Sequence, residues 1–240
     1  MEKARIHIYC GDGKGKTTAA IGLSVRSCGR GWPVVLSQFL KGSTSGELNV
    51  LRNLPNYHYV EAPTTTCKFV FQMDDQEKME YSQQVRQHFA DTVEAVKKYH
   101  AKLLVMDEPT AGLDVEARNH ILDMLRVYME EDEERSILIT SHIASDLEQL
   151  CDDIYLIHNG TLILYEDTDV ILEQYGVLKV SEDQFAGLDQ DYLLKTQKTS
   201  YGYACFTNHK DYYQQNYPGI IVENGNIDEL ILMMTGGYQG

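Results

Sequence analysis

A strand that empties into a glycine-rich turn and then directly into a helix leaves a chain few ways to fold. Residues 4–31 read that way: "ARIHIY" is a short strand, and "GDGKGKTTAAIGLSVRSCGRG" is the turn and a helix that closes on Gly29 and Gly31. In that context "GDGKGKT" (Gly11 to Thr17) reads as a phosphate loop. Its glycines let the backbone curl until successive N–H groups point inward at phosphate oxygens. Lys16 supplies positive charge to those oxygens, and the Thr17 hydroxyl is placed to ligate Mg²⁺. Gly11, Asp12, Gly13, Lys14, Gly15, Lys16, Thr17 and Thr18 are the candidate nucleotide contacts; of these, Asp12, Lys14 and Thr18 read equally well as solvated loop residues. The plain alternative is a glycine-rich turn with a capping threonine. One departure matters: the spacing Gly-x4-Gly-Lys-Thr calls for a glycine where Cys10 stands, so the loop is one residue short.

Downstream, strands alternate with helices. "PVVLSQFL" is a buried strand and "YHYVEA" a third. From Asp74 to Tyr99 the chain is polar, with Met79, Val85, Phe89, Val93 and Val96 at helical spacing. "KLLVMD" is a buried strand, and "VEARNHILDMLRVYMEE" a helix with Ile121, Leu122, Leu125 and Met129 on one side. "SILIT" is a strand, "SDLEQLC" a helix, and "DIYLIHNGTLILYE" a strand entering an Asn-Gly hairpin. The alternation predicts an α/β fold: a mainly parallel sheet with helices on both faces. After about Asp169 tyrosine becomes frequent and the alternation stops. Residues 1–169 are thus expected to form the core. Residues 170–240 form a small α+β appendage ending in "NIDELILMMTGG", a helix with an Asn cap and a glycine stop.

The net charge of −15 repels phosphate backbones, which argues against nucleic acid as a partner. A small anion such as ATP still binds, because a phosphate loop acts at contact distance through backbone N–H groups. The five cysteines are scattered, with no Cys-x-x-Cys pair, which points to a reducing compartment rather than to disulfides or zinc. No apolar run approaches the roughly 20 residues of a membrane helix, and no signal peptide precedes the first strand. The expected location is cytoplasmic, without membrane insertion.

The short loop and the text after it resemble a known family. "IYCGDGKGKTTAAIGLSVRSCGRG", "VVLSQFLKG", "SGELNVLRNLPN" and "KFVFQMDDQEK" are similar to the ATP:cob(I)alamin (corrinoid) adenosyltransferases, from about Arg5 to Met106. That resemblance implies transfer of the adenosyl group of ATP to reduced cobalamin with release of triphosphate, the nucleotide lying on the loop in a reversed direction. It also implies that Phe69 and Phe71 pack beside the corrin; by spacing alone the two suit one face of a strand as plain core residues.

From Asp107 onward the resemblance changes. "DEPTAGLD", "ARNHILDMLR", "ILITSHIASDLEQLCDDIYLIHNGTLILYE" and the tail "YGYACFTN…IIVENGNIDELILMMTGG" look like the C-terminal half of a bacterial ATP-binding-cassette (ABC) exporter ATPase. Carried over by position, Asp107 would hold Mg²⁺ through water and Glu108 would be the general base. Asp114 would be the D-loop aspartate, and His142 the switch histidine at the γ-phosphate. Yet no Leu-Ser-Gly-Gly-Gln signature stands between Lys16 and Asp107. The Gln38 of "QFLKG" belongs to the adenosyltransferase pattern rather than being an ABC Q-loop glutamine.

The sequence therefore reads as an engineered chimera of two P-loop NTPases joined on the "LLVMD" strand, a natural recombinant being the alternative. Resemblance to both families implies the strand order third, second, "LLVMD", "SILIT", phosphate-loop strand, "DIYLI". The expected function is Mg²⁺–ATP (or related nucleotide) binding with weak or no hydrolysis. Thr17 and Asp107 would serve the metal; Glu108 and His142 would serve any hydrolysis. The alternatives are a corrinoid adenosyltransferase, with cobalamin as cofactor only in that case, an ABC transporter ATPase subunit, and a scaffold without ligand. A second copy of the chain is the dimer partner to consider, and a transporter membrane subunit only for the ABC parent.

Overall fold

Runs such as "VVLSQ" and "LLVMD" are buried along their whole length. Strands with no solvent face suit the interior of a parallel sheet covered on both sides. The computed structural model builds that arrangement. It describes residues 4–11, 13–39, 45–62, 73–111, 113, 115–131, 134–142, 148 and 150–235.

The first part runs β1 (Ile6–Cys10), α1 (Lys16–Gly29), β2 (Val34–Gln38), α2 (Leu48–Leu51), β3 (Tyr57–Val60), α3 (Asp75–Tyr99), β4 (Leu103–Asp107), α4 (Val115–Glu130) and β5 (Ser136–Thr140). A hairpin of β6 (Asp153–His158) and β7 (Thr161–Asp167) completes a seven-stranded sheet in the order β3-β2-β4-β5-β1-β6-β7. Every pair is parallel except β6 with β7. The expected strand order is the one observed, and the fold is that of a P-loop NTPase. Asn159 and Gly160 turn the hairpin with φ of 49° and 79°, both positive as a type I′ turn requires. No helix among the described residues is long and apolar enough to cross a membrane.

Helices α1 and α2 cover one face, with Ala20, Cys28, Leu48 and Leu51 packed on Val34, Leu36, Val105 and Leu138. On the other face α3 and α4 pack Val85, Phe89, Val96, Ile121, Leu122 and Leu125 against Leu104, Met106, Ile137 and Ile139. Asp74 and Glu77 start α3 as a reciprocal capping box. Met79, expected on its apolar face, is 64% exposed, and Tyr81 is buried instead. Tyr81, Val85 and Phe89 follow at steps of four residues, whereas Met79 sits about 200° around the helix from Tyr81. "SDLEQLC" lies largely outside the described residues, and its Glu148 and Leu150 fall in turns.

The rest of the chain is α5 (Thr168–Gln174), β8 (Gly176–Val180), α6 (Glu182–Ala186), β9 (Leu193–Thr199), β10 (Gly202–Thr207), α7 (Lys210–Asn216), β11 (Ile221–Asn224) and α8 (Ile227–Thr235). Its strands form an antiparallel sheet, β11-β8-β10-β9. The tyrosines gather around one acid there. Tyr212 and Tyr213 donate to the Asp189 carboxylate and carbonyl at 2.8 Å each, and the Asp189 N–H donates to the Tyr217 oxygen at 2.9 Å. Asn226 caps α8 by accepting from the Glu229 N–H at 2.7 Å; the expected glycine stop lies outside the described residues. Ile227, Leu230, Ile231 and Met233 of α8, with Val177, Ala204 and Phe206 of the small sheet, belong to the same apolar cluster as Ile8 and Leu156 of the large one.

One buried and two half-buried histidines give the fold an acid limit. His88 on α3 is 2% exposed, its Nε2 lies 2.9 Å from Ser37 Oγ, and burial lowers its pKa. Burial lowers His7 and His58 as well. Each stays neutral in the folded state at pH values where the unfolded chain, with histidine pKa near about 6.5, already takes up a proton. Their contribution is therefore whole above that pH and is lost as pH falls through the folded values. Urea midpoints at pH 7 and 5.5 should show the drop, and His88→Gln should flatten the slope by up to about 1.4 kcal/mol per pH unit.

Candidate functional site

The loop between β1 and α1 is shaped by three glycines in the left-handed half of conformational space: Gly11 (φ 109°), Gly13 (85°) and Gly15 (121°). Gly15 caps α1 without a side-chain hydrogen bond, and no acid stands in the first turn. The helix therefore presents N–H groups and the positive end of its dipole to whatever occupies the loop. Lys16 is 7% exposed and folds back into the loop, donating from Nζ to the Gly11 carbonyl at 2.5 Å and the Gly13 carbonyl at 3.2 Å. Lys14 and Thr18 are exposed, and Asp12 lies outside the described residues.

A buried carboxylate stands beside the first turn of α1. Asp107, at the end of β4 and 1% exposed, accepts from Thr17 Oγ1 at 2.8 Å, Thr140 Oγ1 at 2.5 Å and Gln38 Nε2 at 3.1 Å. Strand register brings them together, since Gln38 and Thr140 are the residues paired with Asp107 on β2 and β5. Gln38, given no place at the site by sequence, is fully buried, and its Oε1 has no hydrogen-bond partner among the described residues. The signal available was that "VVLSQ" and "LLVMD" both end an apolar strand on a polar residue. The Asp107 carboxylate and the Thr17 hydroxyl are oxygen donors of the kind with which Mg²⁺ is held together with substrate phosphates and waters. Among the described residues no group of three or more His, Cys, Asp or Glu could hold a metal by itself.

Glu108 follows directly, in the left-handed region at φ 57°, a conformation a glutamate keeps only where its surroundings enforce it. Its N–H donates to the Thr140 carbonyl at 3.0 Å. Its Oε2 accepts from the His142 backbone N–H at 3.2 Å and lies 2.6 Å from His142 Nδ1. Gly11, Gly13, Gly15, Lys16 and Thr17 thus meet Asp107, Glu108 and His142 at the C-terminal ends of β1, β4 and β5. Asp114, Phe69 and Phe71 lie outside the described residues. A cavity of about 470 Å³ opens elsewhere, between β3 and α3, lined by Arg52, His58, Glu61 and Tyr99 among others. Three strands (β2, β4 and β5) separate β3 from the loop strand, and that cavity's Arg52 is already paired with Glu61 at 2.6 Å.

Comparison with known proteins gives two answers. The family model described as ATP:corrinoid adenosyltransferase BtuR/CobO/CobP matches residues 2–155, continuing past Met106, where that resemblance was expected to stop. Curated relatives are of another kind. Nod factor export ATP-binding protein I of Bradyrhizobium sp. (strain SNU001) is 28% identical over 145 residues, 56% of this chain and 47% of that protein. The linearmycin resistance ATP-binding protein LnrL of Bacillus subtilis (strain 168) is 30% identical over 100 residues, 42% of this chain and 32% of that protein. The chain spans about half the length, or less, of these relatives. Among solved structures, a nucleotide-free ATP-binding cassette from an ABC transporter aligns over 69% of this chain and 81% of its own, at 15% identity and a TM-score of 0.42. The chain belongs to the ATP:corrinoid adenosyltransferase family over residues 2–155, and its likeness to ABC-transporter ATP-binding proteins makes it a two-part mix.

Proposed function

We propose that this chain binds a Mg²⁺–nucleoside triphosphate, ATP first among them, on the Gly11–Thr17 loop, with weak or no hydrolysis. The observation that carries the reading is the convergence of Thr17, Gln38 and Thr140 on the buried Asp107 carboxylate beside the loop. Lys16 would exchange its two loop carbonyls for phosphate oxygens, and Asp107 would hold the metal through Thr17 and water. Two observations support slow turnover. The signature through which a second subunit closes over nucleotide is missing from the sequence, and His142 occupies one oxygen of the Glu108 carboxylate that would orient the attacking water.

The chain is further read as an engineered join of two P-loop lineages on β4, working in the cytoplasm. Unbroken parallel pairing of β4 with β2 on one side and β5 on the other supports a join without strain there. Adenosyl transfer is the second reading, favoured by the family match over residues 2–155. Because the chain spans about half of its curated relatives or less, export is not carried over to it.

Calorimetric titration of Mg²⁺–ATP into the protein, with Lys16→Ala beside it, tests the first reading. Saturable binding weakened at least about tenfold by the substitution is expected, the worth of one charged contact to phosphate. A folded protein that takes up no nucleotide would sink it. Product analysis then separates the chemistries. Triphosphate released only with a reduced corrinoid marks adenosyl transfer, and orthophosphate lost in Glu108→Gln marks hydrolysis.

A further inference from the structure

The phosphate loop leans on a part of the chain that its own family match does not reach. Parallel pairing sets Cys10 of β1 beside Leu156 of β6, so Gly11 falls opposite Ile157. A Cβ on Gly11 would stand 2.5 Å from the Ile157 carbonyl oxygen and 2.8 Å from Leu156 Cδ1. One on Gly13 would meet Asn159 Oδ1 at 3.0 Å, and one on Gly15 would meet Gly160 Cα at 3.0 Å and Ile157 Cγ2 at 3.2 Å. Cys10, standing where a loop glycine is usual, turns its Sγ to the Tyr155 carbonyl at 3.8 Å. Cys10 and all three loop glycines therefore rest on β6 and its turn.

Two features aim that turn at the loop. The β6–β7 register slips between Leu156 and Ile157, leaving Ile163 as the extra residue of a bulge, and bulges bend a hairpin. Asn159 takes its left-handed conformation at φ 49°, and its Nδ2 lies 2.9 Å from His158 Nε2, which fixes the carboxamide with Oδ1 toward Gly13.

The geometry points to the β6–β7 turn, and Asn159 in particular, as a positioning element that holds the shortened phosphate loop in its nucleotide-binding curl. This inference rests on the nucleotide-binding reading. The family match ends at residue 155, so the loop lies inside it and the turn outside. The Gly11 and Gly13 carbonyls are held by Lys16 Nζ, the group that would move to a bound phosphate, whereas the turn stands against all three loop glycines.

Asn159→Gly is the test, because a Gly-Gly turn keeps both positive φ values while removing the carboxamide. Asn56→Gly is its control: Asn56 also has positive φ (59°) but lies in the turn before β3, away from the loop. Two quantities are read on the full chain: Mg²⁺–ATP affinity by calorimetry, and amide exchange of residues 10–18 without nucleotide. The expected result is roughly tenfold weaker binding, the lower end of what supporting residues contribute, with faster loop exchange, an unchanged melting temperature and no change in Asn56→Gly. Wild-type affinity together with unchanged loop exchange would overturn the positioning role and leave the nucleotide reading standing. If the unaltered protein bound no ATP, the function reading would fall, and loop exchange alone would decide whether Asn159 holds the loop. Should Asn159→Gly fail to fold, Asn159→Asp keeps the turn and side-chain shape. Its carboxylate against Gly13 should weaken ATP binding in a salt-dependent way, and salt-independent, wild-type binding there would count against the proposal.

Discussion

Replacing Asp107 by asparagine should abolish the Mg²⁺ dependence of nucleotide binding while leaving the fold standing. The side chain is 1% exposed and accepts hydrogen bonds from Thr17, Gln38 and Thr140, so a change of shape there would be costly. Asparagine keeps the shape. The two threonine hydroxyls can rotate to accept as well as donate, and the Gln38 amide can turn over. Turned over, Gln38 would offer the new amide the Oε1 that otherwise has no hydrogen-bond partner. Stability should thus move by no more than about 1–2 kcal/mol, a few degrees in melting temperature for a chain of this size. The charge is what a hard cation requires, and its loss should weaken Mg²⁺-dependent ATP binding by about a hundredfold. Titrations at several Mg²⁺ concentrations check this, a flat affinity in Asp107→Asn being the expected result. Retained Mg²⁺ dependence would show that the metal is held elsewhere and would undo the site assembled around β4.

The site was legible in the sequence wherever its chemistry is written in a contiguous string. The Gly11–Thr17 loop needs glycines at fixed intervals and a strand and helix on either side, all visible within residues 5–29. Gln38 escaped because the expected strand order places β2 beside β4 without saying which residue of β2 stands opposite Asp107, a register that only the folded sheet sets. The support from Asn159 escaped for the same reason: the hairpin and its place beside the phosphate-loop strand could be read, but not the register and bulge that set its turn under the loop. Helix α3 was legible as a helix because Asp74 and Glu77 cap it and its apolar residues repeat. Its buried face was misjudged at Met79, where hydrophobicity alone outvoted the angular position that Tyr81 fills. The small C-terminal sheet was legible as a change of composition. Which face of it would be covered was not, since that depends on packing against the larger sheet.

Packing also decides how the chain should melt, and Leu230→Ala tests it. Leu230 on α8 is fully buried in the cluster that holds Ile8, Ile154 and Leu156 of the large sheet and Val177 and Phe206 of the small one. Trimming a leucine there removes transfer energy and leaves a cavity, at a cost of about 2–5 kcal/mol from a total stability of about 5–15 kcal/mol. The melting temperature should fall by roughly 5–15 °C. Two probes sit on different parts of the chain. Trp32, the single tryptophan, precedes β2 of the large sheet. Because eight of the sixteen tyrosines lie in residues 1–169, the tyrosine signal to read is the set of resolved fluorotyrosine resonances of Tyr192, Tyr212, Tyr213 and Tyr217, which report on the small sheet. A shared core predicts that tryptophan and tyrosine signals shift together and stay coincident in Leu230→Ala, because neither sheet keeps its apolar face covered once α8 loosens. Were the C-terminal part an independent unit, the Trp32 transition would stay at its wild-type temperature and only the tyrosine signal would move. In that case the packing between the sheets would contribute nothing to stability, and the phosphate loop would stand without support from residues 170–235.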